Sequence, residues 1–186
     1  MHGHSNDMQA SNKREDRGLV IVLTGNGKGK TTSAMGQAMR ALGHNCRVLL
    51  IQFLKHGEFG EIKAISRLPN IDIMQFGREQ FVDPKNPHQD DYKYAEQGMR
   101  AAQEAVTRGD YDMVILDEIN VALHFGLIKA EQVTSLIKDK RPGINLILTG
   151  RHALPEVIKL ADTVSEIEDI KHHSELGAKA RAGIEF

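Results

Sequence analysis

The residues with the clearest chemical purpose form a short segment rich in glycine and lysine, TGNGKGKTT at positions 24–32. It directly follows an apolar run of strand length, residues 19–23, and opens a helical pattern over residues 31–42. This context is typical of a phosphate-binding loop, or P-loop, because main-chain N–H groups and a helix N-terminus can converge on phosphate oxygens. We expect the triphosphate of a nucleotide to bind at Gly25, Asn26, Gly27, Lys28, Gly29, Lys30, Thr31 and Thr32.

Two side chains of this P-loop have distinct expected roles. Lys30 would neutralise phosphate charge, and the hydroxyl of Thr31 would bind Mg²⁺. The segment departs from the usual spacing at Thr24, where most such loops have glycine, so it is a variant. An ordinary glycine turn is the alternative. The glycines, the lysine, the hydroxyl and the strand–helix context occur together, which favours phosphate binding.

Charged side chains follow two further apolar runs. Asp117 and Glu118 come directly after residues 113–116, where a carboxylate can reach a metal ion bound at the P-loop. The same acidic pair could instead cap a following helix near Asn120. Arg151 follows the run that ends at Leu148 and could contact the triphosphate through two hydrogen bonds, although a solvated surface arginine is the alternative.

The apolar patterns that must position these residues alternate between strand and helix. Strand-like runs occur at residues 19–23, 48–51, 113–116 and 144–148, with weaker alternating candidates at 71–76 and 163–167. Helical patterns occur at residues 31–42, 91–106, 130–137 and 154–160. This order predicts an α/β fold: a single-domain, mostly parallel sheet with flanking helices, in the P-loop NTPase (RecA-like) architecture. The loops after Leu23, Phe53, Phe76, Leu116 and Leu148 should then share one rim.

The composition limits the classes of partner. The chain has 186 residues and a formal charge of −1, so no global charge attracts it to nucleic acid or to an anionic membrane. No apolar run approaches the ~20 residues of a membrane helix, and the lone Cys46 cannot form an internal disulfide. We expect a cytoplasmic protein with a mobile polar arm over residues 1–17 and one domain over residues 18–186.

From residue 18 to residue 186 the sequence resembles the ATP:corrinoid adenosyltransferases of the bacterial cobalamin pathway. Besides the P-loop, the resemblance rests on six segments, of which the C-terminal one is the most distinctive. They are VILDE at 114–118, RPG at 141–143, TGR at 149–151, LADTVSE at 160–166, KH at 171–172 and GAKARAGIEF at 177–186. Residue chemistry alone would describe residues 171–186, here called the tail, as a solvated terminus.

The resemblance implies that the 5′-deoxyadenosyl group of ATP is transferred to Co(I) of a reduced corrinoid, with release of triphosphate. Co(I) is the nucleophile in that family, so no general base is required. The resemblance assigns triphosphate neutralisation to Lys28, Lys30 and Arg151, and Mg²⁺ binding to Thr31 and Glu118. It also implies a reductase that supplies Co(I) and a homodimeric assembly.

Phe81 lies in a polar segment, residues 77–88, where composition alone favours an aromatic that fills a local core gap. The resemblance instead implies that Phe81 packs on the lower face of the corrin and helps to keep the lower ligand off cobalt. A companion aromatic of relatives would fall near Asp83, and this chain has no tryptophan. The lower ligand could therefore be displaced less completely here.

Two other functions are compatible with a P-loop alone. In an ATP hydrolase or small-molecule kinase, Glu118 would orient water or an acceptor hydroxyl. In a non-enzymatic ATP-gated module, nucleotide would bind without turnover. The sequence of the tail favours adenosyl transfer over both.

Overall fold

All six predicted strands are present in the computed structural model, which describes residues 17–177 and 179–185. The strands are β1 (Val20–Thr24), β2 (Val48–Phe53), β3 (Ile71–Phe76), β4 (Met113–Asp117), β5 (Asn145–Thr149) and β6 (Thr163–Glu166). They form one sheet in the order β3-β2-β4-β5-β1-β6. Every pairing is parallel, so the predicted α/β class with a mostly parallel sheet is confirmed.

The central strands are apolar because helices cover both faces of the sheet. All six residues of β2 are buried, and β4 and β5 are buried after their first residue. The edge strand β6 is exposed along its length, and β3 at the other edge alternates between exposed and half-buried residues. This difference explains why continuous apolar runs indicated the inner strands and weaker alternation indicated the edge strands.

Six α-helices and one 3₁₀ turn connect the strands. The helices are α1 (Lys30–Leu42), α2 (Gly60–Ile65), α3 (Gln89–Arg108), α4 (Ile119–His124), α5 (Ala130–Asp139) and α6 (Pro155–Leu160), and the 3₁₀ turn is His173–Leu176. The sequence patterns predicted α1, α3, α5 and α6. They missed α2 and α4, two helices of six residues each.

The helices form two layers with separate apolar cores. On one face, Ala34, Met35 and Ala38 of α1 and Ile65 of α2 pack against the sheet. The helices α3, α4, α5 and α6 cover the opposite face and bury a larger apolar cluster. Within the described residues, no helix is both long enough and apolar enough to cross a bilayer.

The first sixteen residues of the predicted mobile arm lie outside the described residues. Arg17, its last residue, forms an ion pair with Asp162, and its carbonyl accepts a hydrogen bond of 2.7 Å from Lys140 Nζ. The mobility of the arm and the domain boundary at residue 18 stay predictions.

One close contact fixes α3 on the sheet. The ring of Phe53, at the end of β2, is fully buried and lies against Gly98 in the middle of α3. A Cβ at position 98 would lie 2.7 Å from Cε1 of Phe53, which is shorter than a van der Waals contact. Glycine is therefore required at this position by packing, although it is a poor helix former.

Gly98→Ala should lower the free energy of unfolding by about 1–3 kcal/mol, because the added methyl overpacks the core. The matched control is Gly36→Ala in α1, where a Cβ would meet no atom within 4 Å. That variant should gain up to ~1 kcal/mol from the better helix propensity of alanine. Urea unfolding measures the free energy of unfolding of both variants. A Gly98→Ala variant more stable than wild type would contradict the packing constraint.

Candidate active site

The loops that follow all six strands line one cavity of about 1200 Å³ at the carboxyl edge of the sheet. Its lining includes P-loop residues after β1, Lys55 after β2, Phe81 after β3, Glu118 after β4, Arg151 after β5 and Asp169 after β6. The shared rim expected from the strand order is therefore present. The volume exceeds the roughly 300–1,000 Å³ typical of a site for one small ligand, which leaves space for two substrates.

The P-loop is pressed against the segment that follows β6. The Gly27 N–H donates to Ile167 O at 2.7 Å, and the Ile167 N–H donates to Thr24 O at 2.9 Å. A Cβ on Gly27 would lie 2.4 Å from Glu168 O, so this glycine is required by a close approach of two backbones. Gly25 packs against the backbone of Ile167 in the same way. Residues 26–32 line the cavity, whereas Gly25 does not.

Thr24 explains the departure of the loop from the usual glycine spacing. It is the last residue of β1, is 7% exposed and has no positive φ angle, so its backbone does not require glycine. Its hydroxyl accepts a hydrogen bond of 3.2 Å from the Ala153 N–H. Thr24 therefore ties the P-loop to the loop that carries Arg151.

Lys30 begins α1 and is folded into the loop that it follows. Its side chain donates a hydrogen bond of 2.6 Å to Gly27 O, and the residue is 8% exposed. Burial and the nearby charge of Arg151 lower the pKa of Lys30, whereas the carboxylates of Glu118 and Asp117 raise it. An anion in the cavity would stabilise the charged ammonium, as expected of a phosphate ligand.

Asp117 at the end of β4 is fully buried and accepts hydrogen bonds from the start of α1 and from the ends of β2 and β5. Thr31 Oγ1 donates at 2.9 Å, Thr149 Oγ1 at 2.7 Å, Gln52 Nε2 at 3.0 Å and Lys55 Nζ at 2.8 Å. Burial by itself would raise the pKa of Asp117, but the charge of Lys55 and these hydrogen bonds keep the pKa below its usual value. The carboxylate is thus ionised and fixes the hydroxyl of Thr31.

Glu118, the next residue, belongs to the cavity wall instead. Its backbone is left-handed, with φ 62°, and its N–H donates to Thr149 Oγ1 at 3.0 Å. Its carboxylate lies 3.9 Å from Lys55 Nζ. Burial and the neighbouring charge of Asp117 raise the pKa of Glu118. The cations Lys55, Lys30 and Arg151 lower it, but the pKa remains above its usual value. Glu118 is therefore a carboxylate that an added cation would stabilise.

Oxygen donors suited to Mg²⁺ converge here, since the Thr31 hydroxyl and the carboxylate of Glu118 both line the cavity next to Asp117. In the described part of the chain, no cluster of three or more histidine, cysteine or acidic side chains could hold a metal ion.

Arg151 lies on the loop after β5 and is exposed within the cavity lining. Gly150 before it has φ 127°, and a Cβ there would approach the backbone of Val121 at 3.0 Å. The guanidinium is near enough to Lys30 to lower its pKa by charge repulsion. Two cations that repel one another without a ligand provide a site for a shared anion.

Phe81 is 98% exposed and borders the cavity, so the alternative that it fills a core gap is wrong. Its segment is anchored on either side. Arg78 forms a two-bond ion pair with the buried carboxylate of Asp91 at 2.7 and 3.1 Å, and Val82 packs against the core. An exposed aromatic on an anchored loop is available to a flat apolar ligand.

The tail reaches the P-loop, although most of its described residues are exposed. Lys28 Nζ donates to Ile184 O at 2.6 Å and lies 3.4 Å from the carboxylate of Glu185. Nε2 of His173 lies 3.1 Å from the same carboxylate. The tail therefore forms part of the cavity wall through Gly183, Ile184 and Glu185.

Sequence reasoning missed Lys55, whose ammonium contacts Asp117, and the glutamine pair that supports it. Gln75 Nε2 donates to Gln52 Oε1 at 2.9 Å, and Gln52 in turn donates to Asp117. A signal existed for Lys55, because it lies two residues beyond Phe53, at the rim that the strand order predicted. Nothing in the sequence around the two glutamines indicated that their side chains point towards Asp117.

The family model and the similar proteins all indicate the same family. The family model described as ATP:corrinoid adenosyltransferase BtuR/CobO/CobP matches residues 16–186. A corrinoid adenosyltransferase of Pseudomonas aeruginosa is 35% identical over 181 residues, which is 97% of this chain and 89% of the relative. Those of Sinorhizobium sp. and Escherichia coli (strain K12) are 36% and 31% identical, covering 94% and 97% of this chain and 83% and 91% of the relatives.

Glu118→Gln should stabilise the nucleotide-free protein at neutral pH, because it removes a carboxylate whose charge the site disfavours. A raised pKa means that the folded protein binds a proton more tightly, so Glu118 lowers stability as pH rises from its usual pKa of ~4.3 towards the folded value. The difference between variant and wild type should be small near pH ~4 and larger at pH ~7. Urea unfolding across this range, with the exposed Glu96→Gln as control, measures it; a difference independent of pH would contradict the assignment.

Proposed function

The chain belongs to the ATP:corrinoid adenosyltransferase family, and from that membership we propose how its cavity carries out the reaction. The enzyme transfers the 5′-deoxyadenosyl group of ATP to Co(I) of a reduced corrinoid and releases triphosphate. The single observation that best supports this assignment to the cavity is that the P-loop and the exposed Phe81 line the same space. The P-loop suits triphosphate, and the ring of Phe81 suits a large flat ligand.

For this reaction the protein must position the two substrates and supply positive charge. The electron pair of Co(I) forms the Co–C5′ bond while the C5′–O bond breaks, and its electrons leave with the triphosphate oxygen. No proton is transferred, so no general base is needed. The protein must place C5′ over cobalt and stabilise the negative charge that develops on the leaving group.

We assign the leaving-group charge to Lys28, Lys30 and Arg151 together with the N-terminus of α1. The first turn of α1 has no acidic residue, so nothing there opposes an anion. In this proposal Thr31 and Glu118 bind Mg²⁺, which supplies further positive charge at the phosphates. Asp117 orients Thr31 through the hydrogen bond of 2.9 Å.

Phe81 is the proposed contact for the lower face of the corrin. Its exposed ring would cover that face and disfavour the lower ligand of cobalt, which makes Co(II) easier to reduce. A reductase partner that supplies the electron and a homodimeric assembly complete the proposal, as the family resemblance implies. Val82 lines the cavity next to Phe81, and position 83, where the companion aromatic of relatives would fall, is an aspartate.

ATP with chemically reduced cob(I)alamin should give adenosylcobalamin and intact triphosphate in equal amounts. Lys30→Ala and Thr31→Ala should each lower turnover at limiting ATP and Mg²⁺ by about 10²-fold or more, since each loses a charge-assisted contact to the phosphates. Product analysis by ion chromatography and the corrinoid spectrum measure both outcomes. ADP and phosphate formed at an undiminished rate without corrinoid would support the hydrolase alternative instead.

Phe81→Ala should slow the reaction that starts from cob(II)alamin and a weak reductant by about tenfold, equivalent to ~1.4 kcal/mol, and affect the reaction from preformed cob(I)alamin much less. The proposed contact acts before alkyl transfer, at the reduction step. The melting temperature should change little, because the side chain is 98% exposed.

The control for this comparison is Phe76→Ala at the end of β3, whose ring is partly buried against the core. This variant should lower the melting temperature and both assays together. If Phe81→Ala slows both reactions equally, the proposed corrinoid contact is wrong.

A further inference from the structure

The ammonium group of Lys55 lies among the oxygens of the proposed metal site. It is 2.8 Å from Asp117 Oδ2, 3.4 Å from Thr31 Oγ1 and 3.9 Å from Glu118 Oε1. These oxygens come from two segments that are far apart in the chain: Asp117 and Glu118 lie at the end of β4, and Thr31 lies at the start of α1. Lys55 is therefore the cation that these groups share in the nucleotide-free protein.

The position of Lys55 is fixed by its backbone. Leu54 before it adopts φ 61°, which is rare for a residue with a branched side chain, and its N–H donates to Phe76 O at 2.8 Å. A Cβ on Gly77 would lie 2.4 Å from the backbone nitrogen of Lys55. The loop after β2 and the loop after β3 therefore approach each other so closely that only glycine fits at position 77. A strained residue persists only where its surroundings fix it.

The neighbouring glutamines also direct the lysine. Gln75 Nε2 donates at 2.9 Å to Gln52 Oε1 and at 2.9 Å to Gly57 O, which fixes the orientation of both amides. Gln52 then donates to the same oxygen of Asp117 that accepts from Lys55. The network aligns Asp117 so that Oδ2 points to the ammonium group and Oδ1 to Thr31.

An ammonium group and a divalent cation compete for these oxygens, because both are attracted to the same lone pairs and repel one another. The two carboxylates, in turn, need a cation when no metal is present, since adjacent buried charges are costly without one. Lys55 meets that need in the nucleotide-free state.

We propose that Lys55 is a resident cation that occupies the metal position of the nucleotide-free enzyme and must leave it when the metal enters. This inference rests on the metal site of the proposed function. It makes Lys55 a positioning residue: it keeps Thr31, Asp117 and Glu118 aligned and prevents a divalent cation from binding before the triphosphate. The triphosphate offers the displaced ammonium a new anionic partner in the same cavity, which Lys55 also lines.

The test measures Mn²⁺ binding without ATP or corrinoid, from the electron paramagnetic resonance signal of unbound Mn²⁺. Lys55→Met should bind Mn²⁺ at least about tenfold more tightly than wild type, because a competing unit charge is removed. The double variant Lys55→Met/Glu118→Gln should lose this gain. The matched control is Lys63→Met, which removes a lysine that pairs with Glu58 at 3.3 Å on the exposed surface and should bind Mn²⁺ as wild type does.

Thermal melting supplies a second readout. Without metal, Lys55→Met should melt below wild type because Asp117 is left uncompensated, and Mn²⁺ should restore much of the loss while hardly changing the wild type. A folded Lys55→Met with wild-type Mn²⁺ affinity would overturn the proposal. If Lys55→Met does not fold, Lys55→Gln takes its place, and failure of both to fold even with Mn²⁺ would also overturn it.

These outcomes are separate from those of the proposed function. Adenosyl transfer could fail in the wild type while Mn²⁺ still binds Lys55→Met more tightly, which would refute the reaction but keep the resident cation. In the reverse pattern, the wild type transfers the adenosyl group normally and Lys55→Met binds Mn²⁺ with wild-type affinity. That result would refute only the proposal that Lys55 is a resident cation.

Discussion

The burial of one ionised carboxylate, Asp117, is the constraint that orders the active end of this molecule. A buried carboxylate without partners is costly, by several kcal/mol even after the surroundings relax. Asp117 avoids that cost through donors from the P-loop, from β2 with its following loop, and from β5. Those segments are distant in sequence, so the carboxylate can be satisfied only when the strands pair in the observed order. In particular, β5 lies between β1 and β4, and its last residue Thr149 bridges Asp117 and the Glu118 backbone.

The lysines of the cavity pair with acceptors of the protein itself. Lys55 is paired with Asp117, and Lys28 lies against Glu185 of the tail. Lys30 contacts a carbonyl of its own loop. In the proposed function, triphosphate and a divalent cation would exchange these internal contacts for contacts with the ligand. The internal pairs avoid unpaired buried charge in the cavity.

The tail and the loop with Phe81 adapt a common phosphate-binding framework to a particular reaction. A P-loop, a carboxylate after a strand and an arginine would serve hydrolysis or phosphoryl transfer equally well. What differs here is a part of the cavity wall, where the exposed ring of Phe81 and the tail residues Gly183 and Ile184 line the same cavity as the P-loop. Family membership and this wall agree on adenosyl transfer to a corrinoid, for which charge and placement suffice.

The sequence by itself determined the fold class, and it predicted the position of the phosphate site. Continuous apolar runs can be buried only in strands covered on both faces, and a glycine-rich segment between such a strand and a helix has few uses other than phosphate binding. The family resemblance added Phe81, although residue chemistry alone favoured a core position for it. Only the tertiary structure decided that Phe81 is exposed, that Asp117 is buried while Glu118 faces the cavity, and that Lys55 lies between them. Those facts depend on which loops the parallel strands bring to one edge and on left-handed turns at Leu54 and Glu118. Local sequence cannot specify them, since burial and charge pairing are set by residues far apart in the chain.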